Sequence, residues 1–131
     1  MPLTRDLPNF RLSEFNHPDL IDQDAAELLQ EVRTIYGRSL VVTSDARTAA
    51  ENDAAGGSPT SWHLRGRAFD LRWPADPWKF VDAVFQVART LGVRVELELV
   101  YSAFAYRARD KHVHLAWKND GTPSELIVAA D

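Results

Sequence analysis

One stretch near the middle of the chain, residues 58–71 (SPTSWHLRGRAFDL), carries polar side chains inside a run that otherwise alternates like a β-strand. It holds His63 and Asp70, which are seven residues apart. Residues separated by an odd number lie on opposite faces of a straight strand. A bend or bulge at Gly66 would bring both side chains to one side. We therefore expect an interrupted strand whose His63 and Asp70 converge on one site.

Two helices are predicted from hydrophobic periodicity. The first is capped by Asp22 and ends at Gly37, because apolar residues recur between them at helical spacing. The second has Pro77 at its start and Gly92 at its end. The apolar positions of the first helix are Ala25, Leu28, Leu29, Val32 and Ile35. These residues predict a core-facing side for the first helix.

Alternating or β-branched runs predict the strands. They lie within residues 39–47, 62–73, 93–102 and 111–117. In the third run, Glu96 and Glu98 alternate with apolar residues, which is typical of a solvated strand face. The predicted fold class is α+β, with a mostly antiparallel sheet of about four strands packed against two main helices.

Length and charge limit the organisation of the chain and its partners. A chain of 131 residues with 45% hydrophobic residues fits one domain, residues 1–131, with an irregular N-terminal arm over residues 1–20. A net charge of −4 argues against a nucleic-acid partner, since phosphate binding needs a basic face. No apolar run is long enough for a membrane span, and the N-terminus lacks an apolar signal core. We expect no membrane partner and no signal peptide.

The sequence contains no cysteine, so a metal would have to be held by histidine, aspartate or glutamate. His112 and His114 are two residues apart in a predicted strand and therefore share a face. Two histidines and a carboxylate around an open position are a common pattern for catalytic zinc. Together with His63 and Asp70, these residues indicate a candidate metal site.

The stretch around His63 and Asp70 also matches a known motif. Five positions, Ser61, His63, Gly66, Ala68 and Asp70, fit the pattern Ser-x-His-x-x-Gly-x-Ala-x-Asp without a gap. With the downstream HVHLAW, this resembles the zinc peptidases of the D-Ala-D-Ala carboxypeptidase type. That group includes L-alanyl-D-glutamate endopeptidases of phage lysins and shares its fold with hedgehog signalling domains. The segments RLSEF and LVVTSDARTAAENDAAGG are also similar to the family, so the resemblance extends from about residue 10 to 118.

The resemblance implies a zinc ion coordinated by His63, Asp70 and His114. His114 is preferred over His112 because related His-x-His sequences place the ligand second. His112 would then assist catalysis by shuttling a proton or stabilising the oxyanion. Arg47 matches the family arginine that binds a substrate carbonyl or carboxylate, a role that suits the permanently charged guanidinium.

The chain departs from the family pattern at the general base. Many relatives carry an acidic residue three positions before the distal ligand, where this chain has Lys111. The hedgehog-like arrangement places a glutamate six positions before it, where this chain has Ala108. His112 is the first remaining candidate for the base and Asp110 the second, since Asp110 is an even number of residues from His114.

Taken together, the sequence predicts a zinc metallopeptidase, expected to be monomeric, that cuts peptidoglycan stem peptides next to a D-amino acid. Arg47, Ser61 and Trp62 are the predicted substrate contacts, and Asp45-Ala46 replaces the usual Gly-Tyr in a way expected to alter substrate fit. The protein is expected in the cytoplasm as synthesised, or encoded by a phage, and to act on the cell wall. The alternative is a module of the same fold that binds zinc but has lost efficient hydrolysis.

Overall fold

The computed structural model describes residues 2–56, 58, 60–101 and 111–130. The helices are α1 (Gln23–Tyr36), α2 (Ala49–Ala54) and α3 (Pro77–Leu91). The strands are β1 (Val42–Ser44), β2 (Ala68–Arg72), β3 (Arg94–Tyr101), β4 (His112–Lys118) and β5 (Glu125–Ala130). None of the helices in the described ranges is long and apolar enough to serve as a transmembrane span.

The five strands form one sheet in the order β1-β2-β4-β3-β5. All neighbouring pairs are antiparallel except β3 and β5, which run parallel. The predicted α+β class with a mostly antiparallel sheet is confirmed, with five strands rather than about four. Strand β5 was not predicted from the sequence, because residues 126–130 are continuously apolar and show no period-two alternation.

The two faces of the sheet differ in what covers them. Apolar side chains of β2, β3 and β4 lie in one core cluster with those of α1 and α3. These sheet residues are Phe69, Leu71, Val95, Leu97, Leu99, Val113, Leu115 and Trp117. The intervening positions of the same strands, among them Asp70, Glu96 and His114, therefore point to the opposite face. Polar residues of three strands are brought together on that face.

Both long helices have the predicted ends. The Asp22 side chain accepts a hydrogen bond from the Asp24 amide at the start of α1, and Gly37 ends it in the left-handed conformation. The prediction of Ile35 as a core residue is wrong, because its side chain is 38% exposed. The adjacent Tyr36 is fully buried, and its ring meets Phe80 of α3 edge-on at 5.7 Å. The larger ring thus takes the inward position in the last turn.

The N-terminal residues pack against this core without forming a regular element longer than a turn. Leu3, Phe10 and Phe15 are buried. Two short 3-10 turns, Leu12–Glu14 and Pro18–Leu20, shape the segment. We use the term arm for residues 2–20.

Residues 62–73 were predicted to form a strand interrupted at Gly66, but only part of this stretch is a strand. Trp62–Arg65 is a 3-10 helix, Gly66 has a left-handed φ of 68°, and only Ala68–Arg72 is a strand. Ser61 caps the start of this 3-10 helix, because its hydroxyl accepts a hydrogen bond from the His63 amide. The predicted interruption at Gly66 is therefore present as a change from helix to strand, which is a larger break than a bulge.

Gly66 also lies against the end of the arm. Its carbonyl accepts a hydrogen bond from the Asp22 amide at 3.0 Å. A Cβ at Gly66 would overlap the Leu20 carbonyl oxygen and lie 2.8 Å from the Asp22 nitrogen. The neighbouring Arg67 donates to the Trp117 carbonyl at 2.7 Å and to the Asp22 carboxylate at 2.8 Å. The turn at Gly66 is thus fixed between the arm and β4.

Substitution of Gly66 by alanine should destabilise the protein by about 2–4 kcal/mol, because left-handed strain and backbone overlap add together. Gly92 is the matched control, with a φ of 66° and no atom within 4 Å of the position that an added Cβ would take. Gly92→Ala should therefore cost only about 1 kcal/mol. Urea unfolding of both variants measures the difference. Equal losses would show that close packing at Gly66 has no energetic importance.

Candidate metal centre

Three side chains predicted as metal ligands meet on the face of the sheet opposite the hydrophobic core. His63 comes from the 3-10 helix, Asp70 from β2 and His114 from β4, where it is the direct cross-strand partner of Asp70. Asp70 Oδ1 lies 3.3 Å from His63 Nε2 and 3.2 Å from His114 Nδ1. One ligand atom from each of the three residues lies within 4.8 Å of the other two.

The donor set and its spacing fit a tetrahedral zinc ion. Zinc binds nitrogen and oxygen at about 2.0–2.1 Å, so neighbouring ligand atoms of a tetrahedral site are about 3.3 Å apart. The two separations from Asp70 Oδ1, 3.3 and 3.2 Å, match this edge length. Two imidazole nitrogens and a carboxylate oxygen are also ligands that zinc accepts when it keeps one position for water.

A backbone carbonyl determines which nitrogen of His63 faces the centre. The His63 ring is buried, and its Nδ1 donates a hydrogen bond to the Asp45 carbonyl oxygen at 2.6 Å. A carbonyl only accepts hydrogen bonds, so Nδ1 carries a proton and Nε2 is directed at Asp70. Hydrogen bonds of this kind commonly orient histidines that bind metals.

Asp45 is in turn held by the arm. Its fully buried carboxylate accepts hydrogen bonds from the backbone amides of Asn16 at 2.7 Å and His17 at 3.0 Å. We expected Asp45-Ala46 to alter substrate fit. In the structure both residues are buried, and the Asp45 side chain contacts the arm. The replacement of the usual glycine thus connects the arm to the residue that orients His63.

Arg47 lies beside the candidate ligands and contacts one of them. Its Nη2 is 3.3 Å from Asp70 Oδ2, and its Nη1 donates to Asn52 Oδ1 at 3.5 Å. Its backbone amide donates to the His63 carbonyl. Arg47 therefore pairs with Oδ2 of Asp70, and Oδ1 of Asp70 is directed at the two histidines.

One residue of the site, Glu96, was not predicted from the sequence. It was assigned to a solvated strand face, but His114 Nε2 donates a hydrogen bond to Glu96 Oε2 at 3.0 Å. Glu96 is the partner of Ala116 in the β3–β4 register, two residues beyond His114 on the same face. The alternation of polar and apolar residues in β3 correctly placed Glu96 on the sheet face opposite the core. The pairing of β3 with β4, which brings that face to His114, could not be seen in the alternation alone.

The structure places some of the remaining predicted residues beside this group and others apart from it or outside the described ranges. His112 lies on the same face of β4 as His114 and pairs with Arg72 across the sheet, but it is not part of the His63–Asp70–His114 group. Asp110 lies outside the described residues. A pocket next to His114 is lined by Ser58, Thr60, Ser61, Trp62, Glu96 and His114. The predicted substrate contacts Ser61 and Trp62 thus border the candidate metal centre.

The family of the chain follows from comparison with known proteins. A family model described as Peptidase M15 matches residues 9–116, a range that contains all three candidate ligands. The chain belongs to the peptidase M15 family. The resemblance inferred from the motif is thereby confirmed.

The M15 assignment agrees with the fold. The crystal structure of the L-Ala D-Glu endopeptidase ChiX of Serratia marcescens matches with a TM-score of 0.52 and 21% sequence identity. The match covers 76% of this chain and 81% of the ChiX chain. At this identity the likeness concerns the fold. A search of curated protein sequences finds no significant match.

The charges in this M15 centre favour an ionised aspartate and a protonated histidine when no metal is bound. Burial opposes the ionisation of Asp70, but hydrogen bonds from His114 and His63 outweigh it and hold its pKa below the usual range. Burial also opposes a charge on His114, but the Asp70 and Glu96 carboxylates raise its pKa to about 9. The hydrogen bond from His114 lowers the pKa of Glu96. A cation that binds at His114 Nδ1 would therefore replace the proton that faces Asp70.

The raised pKa of His114 predicts how the stability of metal-free protein depends on pH. A histidine whose pKa is raised on folding stabilises the fold below its unfolded value, and this contribution is lost as the pH rises through the folded value. In the presence of a chelator, the free energy of unfolding should fall by up to about 3 kcal/mol between about pH 6.5 and 9. Urea unfolding at both pH values measures it, and His114→Gln should remove most of the difference. If the stability of the metal-free wild-type protein were the same at both pH values, the ion pairs of His114 with Asp70 and Glu96 would not stabilise the fold.

Proposed function

We propose that this M15 family member is a zinc-dependent peptidase that hydrolyses a peptidoglycan stem-peptide bond next to a D-amino acid. The observation that carries the proposal is that Asp70 Oδ1 lies 3.3 Å from His63 Nε2 and 3.2 Å from His114 Nδ1, as neighbouring ligands of tetrahedral zinc do. The choice of substrate is supported by ChiX, a fold relative named as an L-Ala D-Glu endopeptidase.

His63, Asp70 and His114 would hold the ion. When bound, zinc lowers the pKa of a coordinated water and polarises the carbonyl group of the scissile bond. Arg47 keeps the Asp70 carboxylate turned so that Oδ1 stays with the histidines. Its guanidinium, 19% exposed at the side chain, also offers donors to a substrate carbonyl or carboxylate.

His112 is the proposed proton carrier. It follows Lys111, which occupies the position of the usual acidic base, and it shares the face of β4 with His114. Its imidazole would accept a proton from the attacking water and return it to the leaving amine. Asp110 remains the second candidate for this role.

The pocket beside His114 provides a place for the peptide. Trp62 lines this pocket, and the Arg65 guanidinium lies over the Trp62 ring, 4.6 Å from its centroid. The hydroxyl groups of Ser58 and Thr60 are 2.9 Å apart and line the same pocket. These groups can bind the polar backbone and small side chains of a stem peptide.

The first test is metal content. Purified protein should contain about one zinc ion per chain, and His63→Ala, Asp70→Ala and His114→Ala should each reduce zinc affinity by at least about 100-fold, because each removes one of three ligands. His17→Ala is the control, since this histidine is outside the group. Metal analysis after dialysis measures the content. A wild-type protein that binds no zinc would exclude the proposed site.

The second test is the product released from peptidoglycan fragments, identified by mass spectrometry. Cleavage between L-Ala and D-Glu would show an endopeptidase, and free D-Ala would show a carboxypeptidase. A chelator should abolish either reaction. With zinc bound and no product released, the alternative of a binding module is correct.

His112→Ala separates the roles of the two neighbouring histidines. Loss of general acid–base catalysis typically costs a factor of about 10²–10⁴, so turnover should fall by this amount while the zinc content stays at the wild-type level. Steady-state kinetics and metal analysis on the same sample measure both quantities. Loss of the zinc instead would mean that His112 is the ligand and His114 the assisting group.

A further inference from the structure

We propose that Glu96 is a positioning residue that fixes the His114 ring for metal binding through Nδ1. The inference rests on the proposed zinc site and adds to it a residue outside the sequence motif. Its basis is the pair of contacts made by the His114 ring. Nδ1 lies 3.2 Å from Asp70 and Nε2 lies 3.0 Å from Glu96, so each ring nitrogen faces a different carboxylate.

The direction of the hydrogen bond gives Glu96 its effect. The Glu96 carboxylate only accepts, so Nε2 keeps its proton, and the lone pair available to a cation is the one on Nδ1. Nδ1 is the nitrogen that lies next to Asp70, and the His114 ring belongs to the same group as His63. Glu96 thus selects the tautomer that the site requires and prevents the ring from turning over.

The surroundings of Glu96 keep its carboxylate in place. Its side chain is 24% exposed and that of His114 is 17% exposed, so both are partly shielded from water. The adjacent residue of β5 is Glu125, which pairs with Lys118 Nζ at 3.0 Å. Lys118 is almost fully buried and offsets the negative charge of the two neighbouring carboxylates.

Two other roles for Glu96 fit the geometry less well. Glu96 is not a member of the group of ligand atoms formed by His63, Asp70 and His114 among the described residues. Its carboxylate approaches Nε2, the nitrogen turned away from Asp70. Glu96 therefore contacts the ring rather than the position of an ion, which disfavours both a fourth ligand and a general base.

The test compares Glu96→Gln with Glu98→Gln. Glu98 lies two residues away on the same strand and the same face and carries the same charge. Removing a carboxylate that orients a ligand typically lowers metal affinity about 10–100-fold. We expect a loss of about this size in zinc affinity for Glu96→Gln and a change of less than about threefold for Glu98→Gln. Competition with a chromophoric chelator measures both.

A spectroscopic measurement distinguishes positioning from a loss of folding. In zinc-loaded wild-type protein, the Nε2 proton of His114 should give a slowly exchanging NMR signal that is lost in Glu96→Ala. A far-UV circular dichroism spectrum of each metal-free variant, measured alongside, should match that of the wild-type protein, although loss of the Glu96 contact to protonated His114 lowers the melting temperature.

The outcomes are separable. Wild-type protein that binds no zinc would remove the proposed function and this inference together. Zinc binding by Glu96→Gln within about threefold of wild type would overturn the positioning role alone. Equal losses in Glu96→Gln and Glu98→Gln would also overturn it, because the effect would then be a general attraction between negative charge and a cation.

Discussion

The candidate site depends on the reversal of the chain at Gly66. The 3-10 helix that carries His63 and the strand that carries Asp70 meet at this residue, whose positive φ lets them leave in different directions. The same residue packs its backbone against that of Leu20 and Asp22, where no side chain fits. One small residue therefore sets both the convergence of the ligands and the contact between the arm and the sheet.

Each candidate ligand has one atom held by the protein and one atom left for the shared centre. The Asp45 carbonyl holds His63, Arg47 holds Asp70, and Glu96 holds His114. A cation at this centre would meet donors whose orientation is already fixed, so little conformational entropy would be lost on binding. The supporting groups come from outside the compact motif, which explains why the motif alone does not reveal them.

Features that depend on contacts between sequence neighbours could be predicted from the sequence, and features that depend on strand pairing could not. The helix ends were predictable because Asp22, Gly37 and Gly92 act on their own neighbours. The group of His63, Asp70 and His114 was predictable from a compact motif and a family resemblance. The contact of Glu96 was not, because it requires the pairing of β3 with β4. The parallel strand β5 was missed for a different and local reason, since residues 126–130 are continuously apolar and show no period-two alternation.

The buried carboxylate of Asp45 connects the N-terminal arm to the candidate metal centre. Two backbone amides of the arm are its hydrogen-bond donors, and its own carbonyl fixes His63. Without these donors a fully buried carboxyl group would lose its hydrogen-bond partners, which is costly in a protein interior. Proteolytic cleavage or shortening of the arm would therefore disturb the orientation of the His63 ring, although the arm does not contact that ring through these hydrogen bonds. In a minimal engineered version of this domain, the segment through His17 belongs to the functional unit rather than to a removable leader.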